Sequence, residues 1–510
     1  MNRTLARRRL AAAVSAFFLL ASLGAAAQPA AQPAAGYDAG PDRTDAAARP
    51  AVAPEAGPPV LSLSLREAVL SALENNPSVA ARRLAARGVE TGQRLERGAF
   101  DPQLSAGIRG SRDSGGGAAG SGEAGVSLNL PTGTLVSAGA SAARTPGAAA
   151  DSSVGLDVTV TQSLLRGGPV QGAGLVGIRM ARLDAFSSRH EFRGFAESLV
   201  FSVESAYWAR YLAERQLEIY RESLRLALQH LDNTRRRIQV GVLPELDLAA
   251  AEVEAALRRE ALIGAEGRAE TARLQLLQLA SPRTGDFWDA PVELTDRPAE
   301  PEPRLDGVKA HVELGLRSRA DLAQARLARE KGELEVVRTR NGLLPRLDFF
   351  IALGAAAYDQ DFGSAAERVF DRGPRLSGGL TFSFPLGNNA AAARAEKAAA
   401  SRAQADEALR NLERLAELEI RTAYVAVERS RSQIAAVAET SRLQEEKLKA
   451  ETEKYSVGRS TSYAVSLAGR DLLEARLGEA QAVVGYLTAL LALYRAEGTL
   501  LQRRGIEPVI

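Results

Sequence analysis

Two hydrophobic periodicities alternate along this chain. From about 174 to 240, apolar residues recur at helical spacing. Leu217, Leu224, Leu231 and Ile238 fall seven apart, with Tyr220 and Ala227 between them, which is a coiled-coil seam. No proline interrupts this stretch and, past Gly177, its one glycine is Gly194. A helix of that length runs roughly 90–100 Å, too long for a compact globule. A second long helix is predicted over 390–457, where Ile434, Val437, Leu448 and Tyr455 continue the pattern on a more polar background.

Elsewhere the period falls to two. In "SVGLDVTVTQSLL", Val154, Leu156, Val158 and Val160 alternate with Gly155, Asp157, Thr159 and Thr161. In "LPRLDFFIALG", Leu347, Phe349 and Ile351 form the apolar row, and in "GGLTFSFPL" it is Leu380, Phe382 and Phe384. "DPQLSAGIRG" sets Leu104, Ala106 and Ile108 against Gln103, Ser105, Gly107 and Arg109. These four segments approach the ~9–11 residues that a tilted strand needs to cross a bilayer. A half-buried soluble sheet shows the same alternation. An extra hairpin turning at "PTG" is expected within 122–144, either as added wall or on the outer rim; the rim is favoured because the second half of the chain has no equivalent.

The pattern occurs twice. A fixed shift of 217 residues carries Gly241 onto Gly458, Ala206-Tyr207 onto Ala423-Tyr424, Arg237 onto Lys454, Val240 onto Val457 and Ala251 onto Ala468. "TQSLLRG" at 161–167 resembles "TFSFPLG" at 381–387. The expected organisation is a first repeat over 61–280, a proline-broken linker over 281–308, a second repeat over 309–500 and a tail over 501–510. Each repeat reads helix, strands, very long helix, break, helix.

The N-terminus changes the picture. Arg3, Arg7, Arg8 and Arg9 precede an apolar run and a small-residue cleavage site at Ala25–Ala27, which reads as an export signal over 1–27. Residues 28–60 are rich in Pro, Ala and Gly, the composition of a disordered linker. No later stretch reads as a spanning helix, so export favours membrane strands over a soluble sheet. Four strands cannot close alone, because open edges in lipid leave backbone groups unpaired at several kcal/mol each. Three copies supply roughly twelve strands, a feasible barrel.

Composition excludes more than it specifies. The 64 basic and 62 acidic residues nearly cancel, so nothing marks a nucleic-acid partner. The chain has no cysteine, which removes thiolate chemistry, disulfides and a lipidated N-terminal cysteine. His190, His230 and His311 are scattered and read as surface or packing residues, and no phosphate loop, HExxH or GxSxG occurs. No cofactor, metal site or catalytic group is expected.

At the two breaks, "QVGVLPELD" and "YSVGRSTS", glycine is expected to end a helix in the left-handed conformation. Pro244 suits the first turn of the next helix, Glu245 and Asp247 suit its positive end, and Ser460 is the expected cap after Gly458. Val240, Val242, Leu243 and Val457 are apolar residues at a hairpin tip, which suggests docking.

The two Val-Gly breaks, the spacing of Arg237, Gly241, Asp247 and Ala251, "TQSLLRG" before a long helix and the opening "LSLREAVLSALENNPSV" together resemble the TolC-like outer-membrane efflux family over about 61–500. The resemblance implies a mainly α fold with β: a periplasmic α-helical barrel of long antiparallel helices, with four strands per chain in a trimeric outer-membrane β-barrel. It implies a homotrimer that conducts solutes in a tripartite efflux or type I secretion system, with a periplasmic adaptor and an inner-membrane transporter as partners. The adaptor-binding tip would comprise Val240, Gly241, Val242, Leu243, Pro244, Val457, Gly458 and Arg459. Asp247 and Tyr455 match positions linked with holding the tip closed. The strand residues Leu104, Ile108, Val154, Leu156, Val158, Val160, Leu347, Phe349, Ile351, Leu380, Phe382 and Phe384 would face outer-membrane lipid. The chain departs from the family pattern at Ala464 and Leu467, where members carry acidic residues, so an anionic ring at that level is not expected. The alternative reading is a periplasmic coiled-coil scaffold or adaptor without a barrel.

Overall fold

The computed structural model describes residues 60–507 except 113–117, 146–150, 169–172, 242, 244, 283–286, 299–304 and 372. The export signal, the linker up to 59, Val242 and Pro244 therefore lie outside the described residues. The chain divides into two units. One takes in the described residues of Gln93–Met180 and Glu333–Ala400, the other those of Ala56–Gly92, Ala181–Gly332 and Ser401–Ile510.

The first unit is built on one antiparallel sheet of six strands: β2 (Gln103–Arg112), β3 (Ala118–Asn129), β4 (Thr134–Arg144), β5 (Ser152–Ser163), β7 (Arg346–Asp359) and β8 (Arg375–Ser383), hydrogen-bonded in that order. All four strands legible in the sequence are present. The extra hairpin is not on a rim. It forms β3 and β4, which lie in the sheet between β2 and β5. Its turn follows from its residues. Pro131 pre-sets the first corner, Gly133 takes φ +78, and the Leu130 N–H donates to the Thr134 carbonyl at 2.8 Å.

The second unit is helical. A two-stranded parallel sheet joins β1 (Leu61–Leu63) to β6 (Val292–Leu294), so the expected linker contains a strand. Helix α1 (Leu65–Asn75) opens on a capping box, with the Ser64 side chain accepting from Glu67 N–H and Glu67 reaching back to Ser64 N–H. The Tyr207 hydroxyl donates to the Leu63 carbonyl at 3.2 Å and accepts from Asp296 N–H at 3.0 Å, fastening both short strands to a long helix. Leu63, Val69, Val200, Val203, Tyr207, Leu276, Leu277, Leu500 and Leu501 share one core. Leu501 is buried and Arg504 pairs with the buried Glu204 at 2.6 Å, so the expected tail begins inside the fold.

Helix lengths recur down the chain. α1 has 11 residues and α5 (Val308–Ser318) 11; α2 (Pro77–Arg97) has 21 and α6 (Ala320–Gly342) 23. α3 (Val176–Gln239) has 64 and α8 (Asn389–Ser456) 68; α4 (Leu246–Ala280) has 35 and α9 (Ser462–Glu497) 36. This is the duplication read from the 217-residue shift. The short helix α7 (Phe362–Arg368) between β7 and β8 and α10 (Leu500–Arg503) fall outside it. In the α3 seam Leu231 is buried against Ala251 and Ala255 of α4, while Leu217, Leu224 and Ile238 are half-buried. By length and composition α9 could cross a membrane, contrary to the sequence reading; here Leu491, Leu493 and Tyr494 pack into the helical core.

Candidate functional site

Each unit carries one feature that bears on function. In the sheet it is the division into two faces. Directly opposed residues share a face, and one row runs across all six strands: Leu104, Val126, Ala138, Val158, Leu353 and Leu376. Ile108, Leu156, Val160, Leu347, Phe349, Ile351, Leu380 and Phe382 lie on the same face by this register. Leu104 is 80% exposed, Ile108 68%, Leu380 66% and Phe382 65%, so an apolar face is left bare in the single chain. Phe384, just past the end of β8, is also exposed. Val154 is on this face but is buried. Ala365 of α7 and nearby Val369 pack over it with Ala142 and Ala357, so α7 covers the place expected to meet lipid.

The opposite face carries Ser105, Gly107, Arg109, Glu123, Gly139, Asp157, Thr159, Gly354, Arg375 and Ser377. Arg109 and Glu123 form an exposed ion pair at 3.8 Å. The outer edges of β2 and β8 have no partner strand among the described residues.

In the helical unit the feature is the pair of hairpin tips. Gly241 and Gly458 take φ +76 and +75, and a Cβ on either would meet nothing within 4 Å. Backbone conformation, not crowding, calls for glycine there. At the second tip the Gly458 N–H donates to the Tyr455 carbonyl at 3.2 Å and the Arg459 N–H to the Lys454 carbonyl at 2.8 Å, a Schellman motif. At the first, the Gly241 N–H donates to the Ile238 carbonyl at 2.9 Å. Val240 and Val457 are 72% and 69% exposed, Arg459 is exposed and Leu243 is half-buried. The cap of α9 is Thr461, which accepts from Ala464 N–H at 3.2 Å; Ser460 instead donates to Glu451 at 2.8 Å.

The two tips are tied by a residue whose role the sequence did not show. The Arg237 guanidinium donates to the Tyr455 carbonyl at 3.1 Å and the Ser456 carbonyl at 3.3 Å, and lies 5.1 Å from the Tyr455 ring centroid. His230 Nε2 shares a 2.8 Å hydrogen bond with the buried Ser462 hydroxyl, and its ring lies 5.4 Å from Tyr455. Burial holds the His230 imidazole below its ordinary pKa, with Arg237 pushing the same way and Glu254 and Asp247 opposing. The signal available in the sequence was the family resemblance, which singled out Arg237 and Tyr455 but did not bring them together. Asp247 lies in the first turn of α4, as expected, but does not bond Tyr455. The Tyr455 hydroxyl is enclosed and has no hydrogen-bond partner among the described residues. Ala464 and Leu467 are half-buried.

His311 is a packing residue whose Nδ1 meets Glu497 in the helical core. Among the described residues no group of three His, Asp or Glu is placed to hold a metal ion.

A bare two-faced sheet with open edges and long paired helices define an outer-membrane channel architecture. The chain belongs to the outer membrane efflux protein family, which it matches over residues 68–281 and 312–499. It is an outer-membrane protein with a large periplasmic helical portion. The alternative of a periplasmic scaffold without a barrel is thereby set aside. Among solved structures it is similar to the outer membrane protein VceC from Vibrio cholerae, at 18% identity with TM-score 0.65, covering 85% of this chain and 96% of that one. It is also similar to the CmeC outer membrane channel from Campylobacter jejuni, at 16% identity with TM-score 0.66, covering 86% of each chain. The open-state MtrE outer membrane channel of Neisseria gonorrhoeae matches at 18% identity with TM-score 0.65, covering 86% of this chain and 89% of that one. No curated protein matches the chain.

Proposed function

We propose that this protein is the trimeric outer-membrane conduit of a tripartite efflux or type I secretion system. The observation that carries this reading is the sheet: one face apolar across every strand, the other largely polar, and both edges without a partner strand among the described residues. In lipid, open edges cost several kcal/mol for each unpaired group, and pairing β2 of one copy with β8 of the next removes that cost. Leu104, Ile108, Leu156, Val158, Val160, Leu347, Phe349, Ile351, Leu380, Phe382 and Phe384 would then face lipid, with the polar face lining the lumen.

The tips are the proposed docking surface for the periplasmic adaptor, through which an inner-membrane transporter delivers cargo. The exposed Val240 and Val457 at two Val-Gly turns support this reading. The test uses the absence of native cysteine. Single Val240→Cys and Val457→Cys variants, labelled with a photo-cross-linker in cells, should capture a periplasmic partner. The same label on an exposed mid-helix position such as Arg410 should not. Equal capture from both places contradicts tip docking.

A further inference from the structure

The β3–β4 hairpin is an integral part of the sheet, between β2 and β5. It pairs with β2 from Gln103↔Ser127 to Arg112↔Ala118 and with β5 from Thr134↔Gln162 to Arg144↔Ser152, so it spans the full height of its neighbours. Its faces continue theirs. Val126 and Ala138 extend the apolar row, while Glu123, Ser127, Ser137 and Ser141 extend the polar one. A rim ornament has no need of that double register, since a slip of one residue would invert both faces. The turn is also pinned at the end of β5 where α3 follows. Thr134 donates to the Gln162 side chain at 2.5 Å, Gln162 donates to the Thr132 carbonyl at 3.0 Å, and Ser163 N–H donates to the Gly133 carbonyl at 3.0 Å.

We propose that three copies close an eighteen-stranded barrel, six strands from each, instead of the twelve that four strands per chain would give. This rests on the trimeric reading above. Strands ~4.8 Å apart and tilted ~40° give backbone diameters of roughly 36 Å for eighteen strands and roughly 24 Å for twelve. Barrels of ~16–18 strands leave an aqueous channel. The lumen face mixes Arg109, Glu123, Asp157 and Arg375 among Ser, Thr and Gly, with Leu135 and Phe350 on the same face and no single sign of charge. The membrane passage would therefore admit hydrated cargo of either charge.

Electron cryomicroscopy of the full chain in lipid nanodiscs decides the matter. The expected result is a threefold ring of eighteen strands. A threefold ring of twelve strands with the hairpin outside the wall overturns the proposal and leaves the trimer intact. A particle without threefold symmetry overturns both. A second variant lacks residues 113–144, so that 145–151 join β2 directly to β5. Neutral polymers added from the outer side of a planar bilayer should be excluded at a smaller size, the lumen cross-section falling roughly two- to threefold. An unchanged cut-off contradicts the proposal. If this variant does not assemble, the wild-type ring still decides.

Discussion

Arg237 lies 5.1 Å from the Tyr455 ring centroid and donates to the Tyr455 and Ser456 carbonyls, so one cation clamps the last turn of α8 from across the hairpins. Three favourable terms converge there: two charge-assisted hydrogen bonds, a cation–π contact, and a positive group at the negative end of a helix. The clamp holds the last turn of α8 where Tyr455 is buried.

Removing the clamp should free the tip without unfolding the protein. Arg237→Ala is expected to cost about 1–3 kcal/mol locally. Amide hydrogen exchange in residues 450–458 should accelerate about tenfold, while exchange around Val200 and Leu276 stays unchanged. Arg237→Lys should fall between the two, because an ammonium keeps the charge but not the paired donors.

The tip glycines should respond to side-chain addition by backbone strain alone. Gly241→Ala and Gly458→Ala place a Cβ in open space at φ +76 and +75, so each should cost only about 1 kcal/mol. Gly458→Val should cost more, since a branched residue tolerates positive φ poorly. Thermal unfolding of the purified protein checks both, and equal losses for Ala and Val would contradict the assignment.

Acid should loosen the His230 cluster. Burial lowers the folded-state pKa of His230 from its ordinary 6.5. The unfolded chain then binds the proton first as pH falls. The stabilisation is complete above about 6.5 and is lost as pH falls below it through the folded value. The wild type should lose more thermal stability between pH 7.5 and 5.5 than His230→Gln does. A variant that loses as much as the wild type contradicts this.

In the helical core, Glu497 is fully buried and meets His311, the Thr499 hydroxyl at 2.9 Å and Arg503 at 3.3 Å. Glu497→Ala strands these partners and should cost about 3–5 kcal/mol, read as a lowered unfolding midpoint. Glu497→Gln should lose less, because it still accepts hydrogen bonds.

The long helices, the four strongly alternating strands and the Val-Gly turns were legible because each repeats a strong local signal. The hairpin was legible as a hairpin but not as wall. Its strands are Ala, Gly and Ser with few large apolar residues, and the second repeat offers no counterpart to calibrate it. β1 and β6 are three residues each, too short to show a period. The cover that α7 puts over Val154 and the grip of Arg237 on Tyr455 are long-range contacts with no periodic trace. Thr461 rather than Ser460 caps α9 because Glu451 draws the serine hydroxyl away.

The proposed trimer requires that β2 of one copy pair with β8 of another. The cysteine-free chain allows a direct measurement. Ser105→Cys is combined in turn with cysteine at each of positions 375–383, oxidised in isolated membranes and run on a denaturing gel without reductant. Covalent dimers and trimers are expected at one register, strongest at positions such as Ser377 that share the polar face with Ser105. Monomers at every register would contradict it.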